Sequence, residues 1–395
     1  MTSNTEEKHM RQRFLAATAL GTGILLAACT ATPAPEPAAS GSPAPTQSTP
    51  AVSGSAASGT SAEPTSAPAT TAAAAIAGTP QQVAADLDAP WSVVFRNGTP
   101  LVSERNSGQI LELAPDGSAR PIGTVEGVVA RGESGLLGLA VGSGGDLYVY
   151  STASDGNRVQ RFTVTGSPGA LSLGEPDTLL DRIPSASIHD GGRIAFGPDG
   201  MLYVTAGDAS QRNSAQDREF LAGKILRMTP GGDVPADNPF PGSLVYSYGH
   251  RNPQGIAWTD DGTMFATEFG QNTWDELNII TPGANYGWPT VEGIADREGF
   301  VDPVQQWEPS GASPSGMAHA SGTLFIANLR GQVLRSVPVS DPSTATDHYR
   351  REYGRIRDVT VSPEGQLWFL TNNTDGRGDP KPGDDRILAV PLARD

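Results

Sequence analysis

Ile194-Ala195-Phe196-Gly197-Pro198-Asp199-Gly200-Met201-Leu202-Tyr203-Val204 reads as two short apolar strands joined by a tight turn. Asp-Gly between apolar runs is a hairpin signal. Gly accepts the backbone angles such a turn needs, and Asp bonds its own main chain. The same pattern recurs over 91–102, 139–149, 256–266, 317–326 and 359–369. Its turn glycines, Gly98, Gly145, Gly200, Gly262, Gly322 and Gly365, lie 43 to 62 residues apart. Strand-rich units repeating at this period are the signature of propeller blades. No long amphipathic helical pattern separates them. We therefore expect an all-β fold, a six-bladed β-propeller with one blade per copy. A β-sandwich would leave the repeat unexplained.

The two strands of each hairpin are antiparallel, so the start of the first and the end of the second share one face. Glu133, His189, Arg251, Asn252, Ser315, Arg355 and Arg357 stand just before the first strands. Glu104, Arg105, Asp208, the segment 268–271, the segment 328–330, Thr371 and Asn372 stand just after the second. The opposite turns carry little besides Gly, Asp, Asn, Pro and Ser. The reactive side chains of all six copies thus point to one mouth of the central channel. That asymmetry played no part in defining the repeat.

The first 28 residues read as a leader. Lys8, Arg11 and Arg13 precede an apolar run from Phe14 to Ala28, which is too short for a permanent membrane helix. The run ends Leu26-Ala27-Ala28-Cys29, which resembles a bacterial lipobox, and Cys29 is the only cysteine. We expect Cys29 to be lipidated and the chain to be an extracytoplasmic lipoprotein of the cell envelope. No intramolecular disulfide can form. Residues 29–78 are rich in Ala, Pro, Ser and Thr and lack the apolar mass to offset the entropy of ordering, so they read as a tether. The propeller is expected over 79–395. A formal net charge of −16 argues against nucleic acid as a partner.

Within so acidic a chain the cations at the mouth stand out. Arg251, Arg330, Arg355 and Arg357 suit a ligand rich in carboxylates, since guanidinium binds them bidentately. His189 is followed by Gly191-Gly192, which allows close backbone approach. No Gly-rich dinucleotide fingerprint, P-loop or Gly-x-Ser-x-Gly elbow is present.

Five segments, read in order, carry a family resemblance: His189-Asp190-Gly191-Gly192-Arg193, Gly249-His250-Arg251-Asn252-Pro253-Gln254-Gly255, Asp275-Glu276-Leu277-Asn278, Asn285-Tyr286-Gly287-Trp288-Pro289 and Gly354-Arg355-Ile356-Arg357-Asp358-Val359. They resemble the glucose/sorbosone (aldose sugar) dehydrogenases, enzymes that use pyrroloquinoline quinone (PQQ) and calcium. The resemblance covers roughly residues 80–395. It implies a propeller fold and oxidation of the C1 hydroxyl of an aldose to the lactone. It implies His189 as general base, with Arg251 and Asn252 beside the quinone oxygens. Glu133, Arg330, Arg355, Arg357 and Thr371 would complete the cofactor contacts. The backbone carbonyls of Gly270 and Gln271 would hold calcium. A sugar and an electron acceptor, a quinone or small redox carrier, are the implied partners. The chain departs from the family pattern at Gln271, commonly Pro; at Phe269, commonly polar; at Arg330, commonly Lys; and at Glu133, Gln in some members.

Two other readings stay open at this stage. Glu104, Asp208 and Glu268 could serve a calcium-dependent propeller lactonase, and the propeller could be a non-catalytic binding module. Asp375 to Asp385 reads as a solvated acidic loop rather than a second calcium site. His250 and the Asp275-Glu276 pair read as supports for the loops beside them.

Overall fold

The first strands of adjacent units contact one another round a closed ring, from the sixth back to the first. In this computed structural model, which describes residues 73–394, the chain forms six four-stranded antiparallel sheets arranged as propeller blades. Cys29, the leader and most of the expected tether lie outside the described residues. Among the described residues the only helical elements are two short 3-10 turns, Arg212–Gln216 and Pro309–Gly311.

Blade 1 runs through Pro90–Arg96, Thr99–Glu104, Gln109–Leu113 and Ala119–Thr124. Blade 2 runs through Leu136–Val141, Leu147–Ala153, Gly156–Thr165 and Ser172–Ile183. Blade 3 runs through Ile194–Phe196, Leu202–Ala206, Lys224–Met228 and Val245–Tyr248. Blade 4 runs through Pro253–Trp258, Met264–Glu268, Asp275–Ile280 and Gln305–Trp307, and blade 5 through Pro314–Ala320, Thr323–Asn328, Val333–Pro338 and Thr346–His348. Blade 6 differs. Ile356–Val361, Leu367–Thr371 and Ile387–Val390 come from the end of the chain, and its outer strand is Gln81–Ala84 from the beginning. A further strand, Ala74–Ile76, pairs with Leu392–Arg394. Regular structure therefore starts a few residues before position 79, where the composition shift had placed it.

Inner strands are apolar on both sides because each is sandwiched between neighbouring blades. All seven residues of Leu147–Ala153 are buried, whereas the outer strand Ser172–Ile183 is mostly exposed. Six apolar clusters fill the spaces between blades. Leu101, Leu136 and Phe162 belong to the cluster between blades 1 and 2, and Phe325 and Phe369 to that between blades 5 and 6. Burial of this kind stabilises by about 25 cal/mol per Å² of apolar surface. With no disulfide it is the main force holding the ring closed.

The strand pairing confirms the face argument. Pro90 lies opposite Glu104, Pro253 opposite Glu268, Pro314 opposite Asn328 and Ile356 opposite Thr371. Starts of first strands and ends of second strands meet at one mouth.

Candidate active site

His189 sits just before the first strand of blade 3 with a left-handed backbone, φ +64°. Few side chains adopt this conformation without compensation. Two contacts supply it. The backbone N–H of His189 donates to Glu133 Oε2 at 2.8 Å, and its carbonyl accepts from the N–H of Ala209 at 3.1 Å. Gly207 allows the close approach, since a Cβ there would lie 2.0 Å from the His189 carbonyl oxygen.

The imidazole Nδ1 donates to Asp208 Oδ1 at 2.7 Å. Asp208 Oδ1 also accepts from Ser210 N–H at 2.8 Å, and Oδ2 accepts from Trp288 Nε1 at 2.8 Å. Burial alone would raise the Asp208 carboxyl, but these donors, His189 foremost, hold it below its ordinary value. An ionised carboxylate only accepts. It therefore fixes the tautomer in which Nδ1 carries the proton and Nε2 is the basic nitrogen. Asp208 entered the sequence reading as one acid at the mouth and as a residue of the alternative lactonase, not as the partner of His189. The hairpin register held the signal, because Asp208 follows the second strand of the blade whose first strand His189 precedes.

Trp288 lies between two guanidinium groups. Arg212 Cζ is 4.6 Å and Arg251 Cζ 5.4 Å from its ring centroid. The turn carrying Arg212 is pinned from below by the fully buried Lys224, whose Nζ donates to the carbonyls of Ser214, Ala215 and Ala222 at 2.8, 3.1 and 2.6 Å. Burial pushes this ammonium down to about 7. Arg251 Nη1 donates to the Phe269 carbonyl at 3.0 Å, while its Nε is buried without a partner.

The other mouth residues divide. Asn252 is fully buried; its Oδ1 accepts from Gly191 N–H at 3.0 Å and its Nδ2 donates to Glu133 at 3.3 Å. It braces the His189 loop. Arg355 donates to Asp375 Oδ2 at 3.1 Å, and its Nε is buried without a partner. Arg357 lies deeper, bonded to Gln254 Oε1 at 2.7 Å and Asn372 Oδ1 at 3.1 Å. With Arg193, which pairs with Asp358 at 3.0 Å, it forms a polar floor across the channel around Trp91. Arg330 is exposed and makes no hydrogen bond or ion pair with a described residue. Thr371 lies at the mouth end of its strand, but its hydroxyl is already committed. It is fully buried, its hydroxyl donating to Asp385 at 3.0 Å and accepting from Arg386 N–H at 2.8 Å. A second strand ends there, but its last side chain turns inward to hold the loop that follows.

That loop also corrects the sequence reading. Asp375 and Asp385 are buried, not solvated. Asp375 takes Arg355 on its carboxylate, and Arg105 donates to its carbonyl at 3.2 Å. Burial opposes ionisation of Asp375, but Arg355 and Arg357 hold it below the usual range. Glu133 meets Arg377 of the same loop at 2.8 Å, which with the His189 N–H outweighs burial and keeps it ionised. Within this cluster the guanidinium groups of Arg105, Arg355, Arg357 and Arg377 face two carboxylates, Asp375 and Glu133. The wall carries a cationic surplus in a chain of net charge −16.

The loop after blade 4's second strand is fixed by carboxylates. Asp275 Oδ1 accepts from Gly270 N–H at 2.9 Å, and Glu292 Oε1 from Gln271 N–H at 2.8 Å. The carbonyl oxygens of Gly270 and Gln271 accept no hydrogen bond from another described residue. Burial pushes Asp275 up to about 6. His250 is likewise a support, buried between Ser247 and Glu268 and stacked on Tyr286 with centroids 4.7 Å apart.

A cationic, hydrogen-bonded mouth on one face of an apolar propeller, with an oriented His–Asp pair in it, has the character of a small-molecule site. The chain belongs to the glucose/sorbosone dehydrogenase family, which it matches over residues 87–380. The PQQ-bound aldose sugar dehydrogenase of Streptomyces coelicolor is similar, with a TM-score of 0.77 and 45% identity over 83% of this chain and 100% of that one. The aldose sugar dehydrogenase YliI of Escherichia coli (strain K12) is 31% identical over 73% of this chain and 89% of its own length. The quinoprotein glucose dehydrogenase B of Acinetobacter calcoaceticus is 33% identical over 55% of this chain. That match spans only 54% of the Acinetobacter protein.

Proposed function

We propose that the protein is a PQQ-dependent aldose dehydrogenase that oxidises the C1 hydroxyl of a sugar to the lactone. The observation that carries this is the His189–Asp208 pair placed beside a cationic wall. PQQ suits the donor set. Its carboxylates match the guanidinium surplus, and Arg251 Nε and Arg355 Nε are buried donors without partners. Calcium suits the two uncommitted carbonyls of Gly270 and Gln271, because it favours hard oxygen ligands. When bound, PQQ supplies the ortho-quinone that accepts hydride.

The chain's own residues do the rest. His189 Nε2 takes the proton of the C1 hydroxyl, and the Asp208 carboxylate stabilises the imidazolium that forms. Arg251 sets a positive charge where oxyanion character develops. Trp288, held between Arg212 and Arg251, walls the site and fixes Asp208. Arg355 and the exposed Arg330 hold the cofactor's carboxylates, while Arg357 supports from below.

The lactonase reading has less support. Glu104 is taken by Asp88 N–H and Ser107, Asp208 by His189 and Trp288, and Glu268 by His250 and Arg251 N–H. These acids serve separate partners rather than one centre. Reconstitution with PQQ and calcium, followed by dye reduction with an aldose, tests the proposal. The wild type should turn over, and His189→Gln should bind PQQ but reduce it about 10²–10⁴-fold more slowly. Reduction at the wild-type rate by His189→Gln would remove the base assignment. We further propose that the enzyme acts outside the cytoplasm, anchored through Cys29, and passes electrons to a quinone or small carrier.

A further inference from the structure

The loop between the second and third strands of blade 6 is anchored at Asp375 and presents one side chain across the mouth. Gly376-Arg377-Gly378 follows that anchor. Asp375 Oδ1 accepts from the Arg377 backbone N–H at 2.9 Å, while its other oxygen holds Arg355. Gly378 packs on the Asn373 backbone, where a Cβ would fall 2.4 Å from a carbonyl oxygen. The loop thus projects Arg377 toward blade 2 from a fixed base.

There Arg377 Nη1 donates to Glu133 Oε1 at 2.8 Å. Glu133 Oε2 holds the backbone N–H of His189, so a single carboxylate separates this guanidinium from the loop of the base. Arg377 remains 45% exposed, and no described residue accepts from its Nε or Nη2. Arg355 and Arg357, in contrast, are buried against protein acceptors. A planar fork with unused donors, locked at one corner, matches the oxygens of neighbouring hydroxyls on a sugar ring.

We propose that Arg377 is a specificity-determining residue that donates to a hydroxyl oxygen of the aldose whose C1 faces His189. The inference rests on the dehydrogenase reading above. It places substrate recognition partly on the blade 6 loop, which composition alone had marked as a solvated acidic segment.

The test compares wild type, Arg377→Met and Arg377→Lys, each loaded with PQQ and calcium, on a parent aldose and its monodeoxy analogues. Cofactor-free samples of each are titrated with PQQ, and thermal melting confirms folding. Wild type should lose about tenfold or more in kcat/KM on at least one deoxy analogue, since a site built to bond a hydroxyl rejects its absence. Arg377→Met should show no loss at that position, with KM for the parent raised about tenfold and kcat within a few-fold. Its affinity for PQQ should equal the wild type's. Arg377→Lys, which keeps the charge but not the fork, should fall between. Active wild type with unaltered discrimination in Arg377→Met overturns this inference alone. So does a fall in PQQ affinity with KM unchanged, which would give the guanidinium to the cofactor. Wild type inert toward every aldose overturns the dehydrogenase reading and this inference with it.

Discussion

Replacing Asp208 by Asn keeps the shape of the side chain and removes its charge. In the native protein both carboxylate oxygens are used, Oδ1 by His189 and Ser210 and Oδ2 by Trp288. Asn offers one oxygen. If it faces His189, the amide N–H₂ meets the Trp288 N–H; if it faces Trp288, the amide meets Ser210 and drives the imidazole to the tautomer with Nε2 protonated. The first orientation leaves the buried Trp288 N–H unpaired, at about 1–3 kcal/mol, and the second leaves the part-buried Ser210 N–H without its acceptor. The larger loss falls on the reaction. An imidazolium about 4 Å from a carboxylate is stabilised by about 4 kcal/mol at an effective dielectric of 20, and Asn removes this. The proton-abstraction step should therefore slow by about 10³-fold. Single-turnover reduction of bound PQQ by an aldose, followed by stopped-flow absorbance, reads this step directly. PQQ affinity should barely change, since no proposed cofactor contact is lost. A rate within tenfold of wild type in a folded, PQQ-saturated variant would refute the reasoning, as would a rate loss matched by a loss of cofactor affinity.

Four further outcomes are expected. Arg355→Met, preferable to any change at the buried Arg357, should weaken PQQ binding about tenfold or more in a fluorescence titration, one charge-assisted bond being lost. Gly270→Ala would set a Cβ 1.6 Å from the Trp274 carbonyl oxygen, so the loop must move and calcium affinity by calorimetry should fall with the fold otherwise intact. Burial holds Lys224 at about 7 in the folded protein against an ordinary lysine value of 10.5, so the unfolded chain holds more protons between those values. Its contribution to stability should thus be flat below pH 7 and rise with pH above it, and denaturant unfolding from pH 6 to 9 should show a slope that Lys224→Met abolishes. Cys29→Ala should leave the protein in the soluble fraction or unprocessed, and co-fractionation with membranes like wild type would dismiss the anchor.

The hairpin repeat made the fold readable, because a turn signal between apolar runs is local and recurs six times. The common mouth followed from strand direction alone. The reach of each side chain did not. Thr371 ends the second strand of blade 6 and Arg330 lies two residues beyond that of blade 5, yet one is buried against Asp385 and the other is exposed. That difference depends on the course of the following loop, which no periodicity encodes. The Glu133–Arg377 pair joins residues 244 positions apart, and its partners belong to different blades. Contacts of this kind arise only once the ring has closed.

Ring closure also orders events in time. The outer strand of blade 6, Gln81–Ala84, is made before the other five blades, while its partner Ile387–Val390 is made after them. An emerging chain with five complete blades would have His189, Asp208 and Arg251 in place but not Arg355 and Arg357. Closing so long a loop is slow relative to forming a local hairpin. A partly made chain should therefore be unable to retain an anionic cofactor, so that cofactor capture is confined to finished molecules.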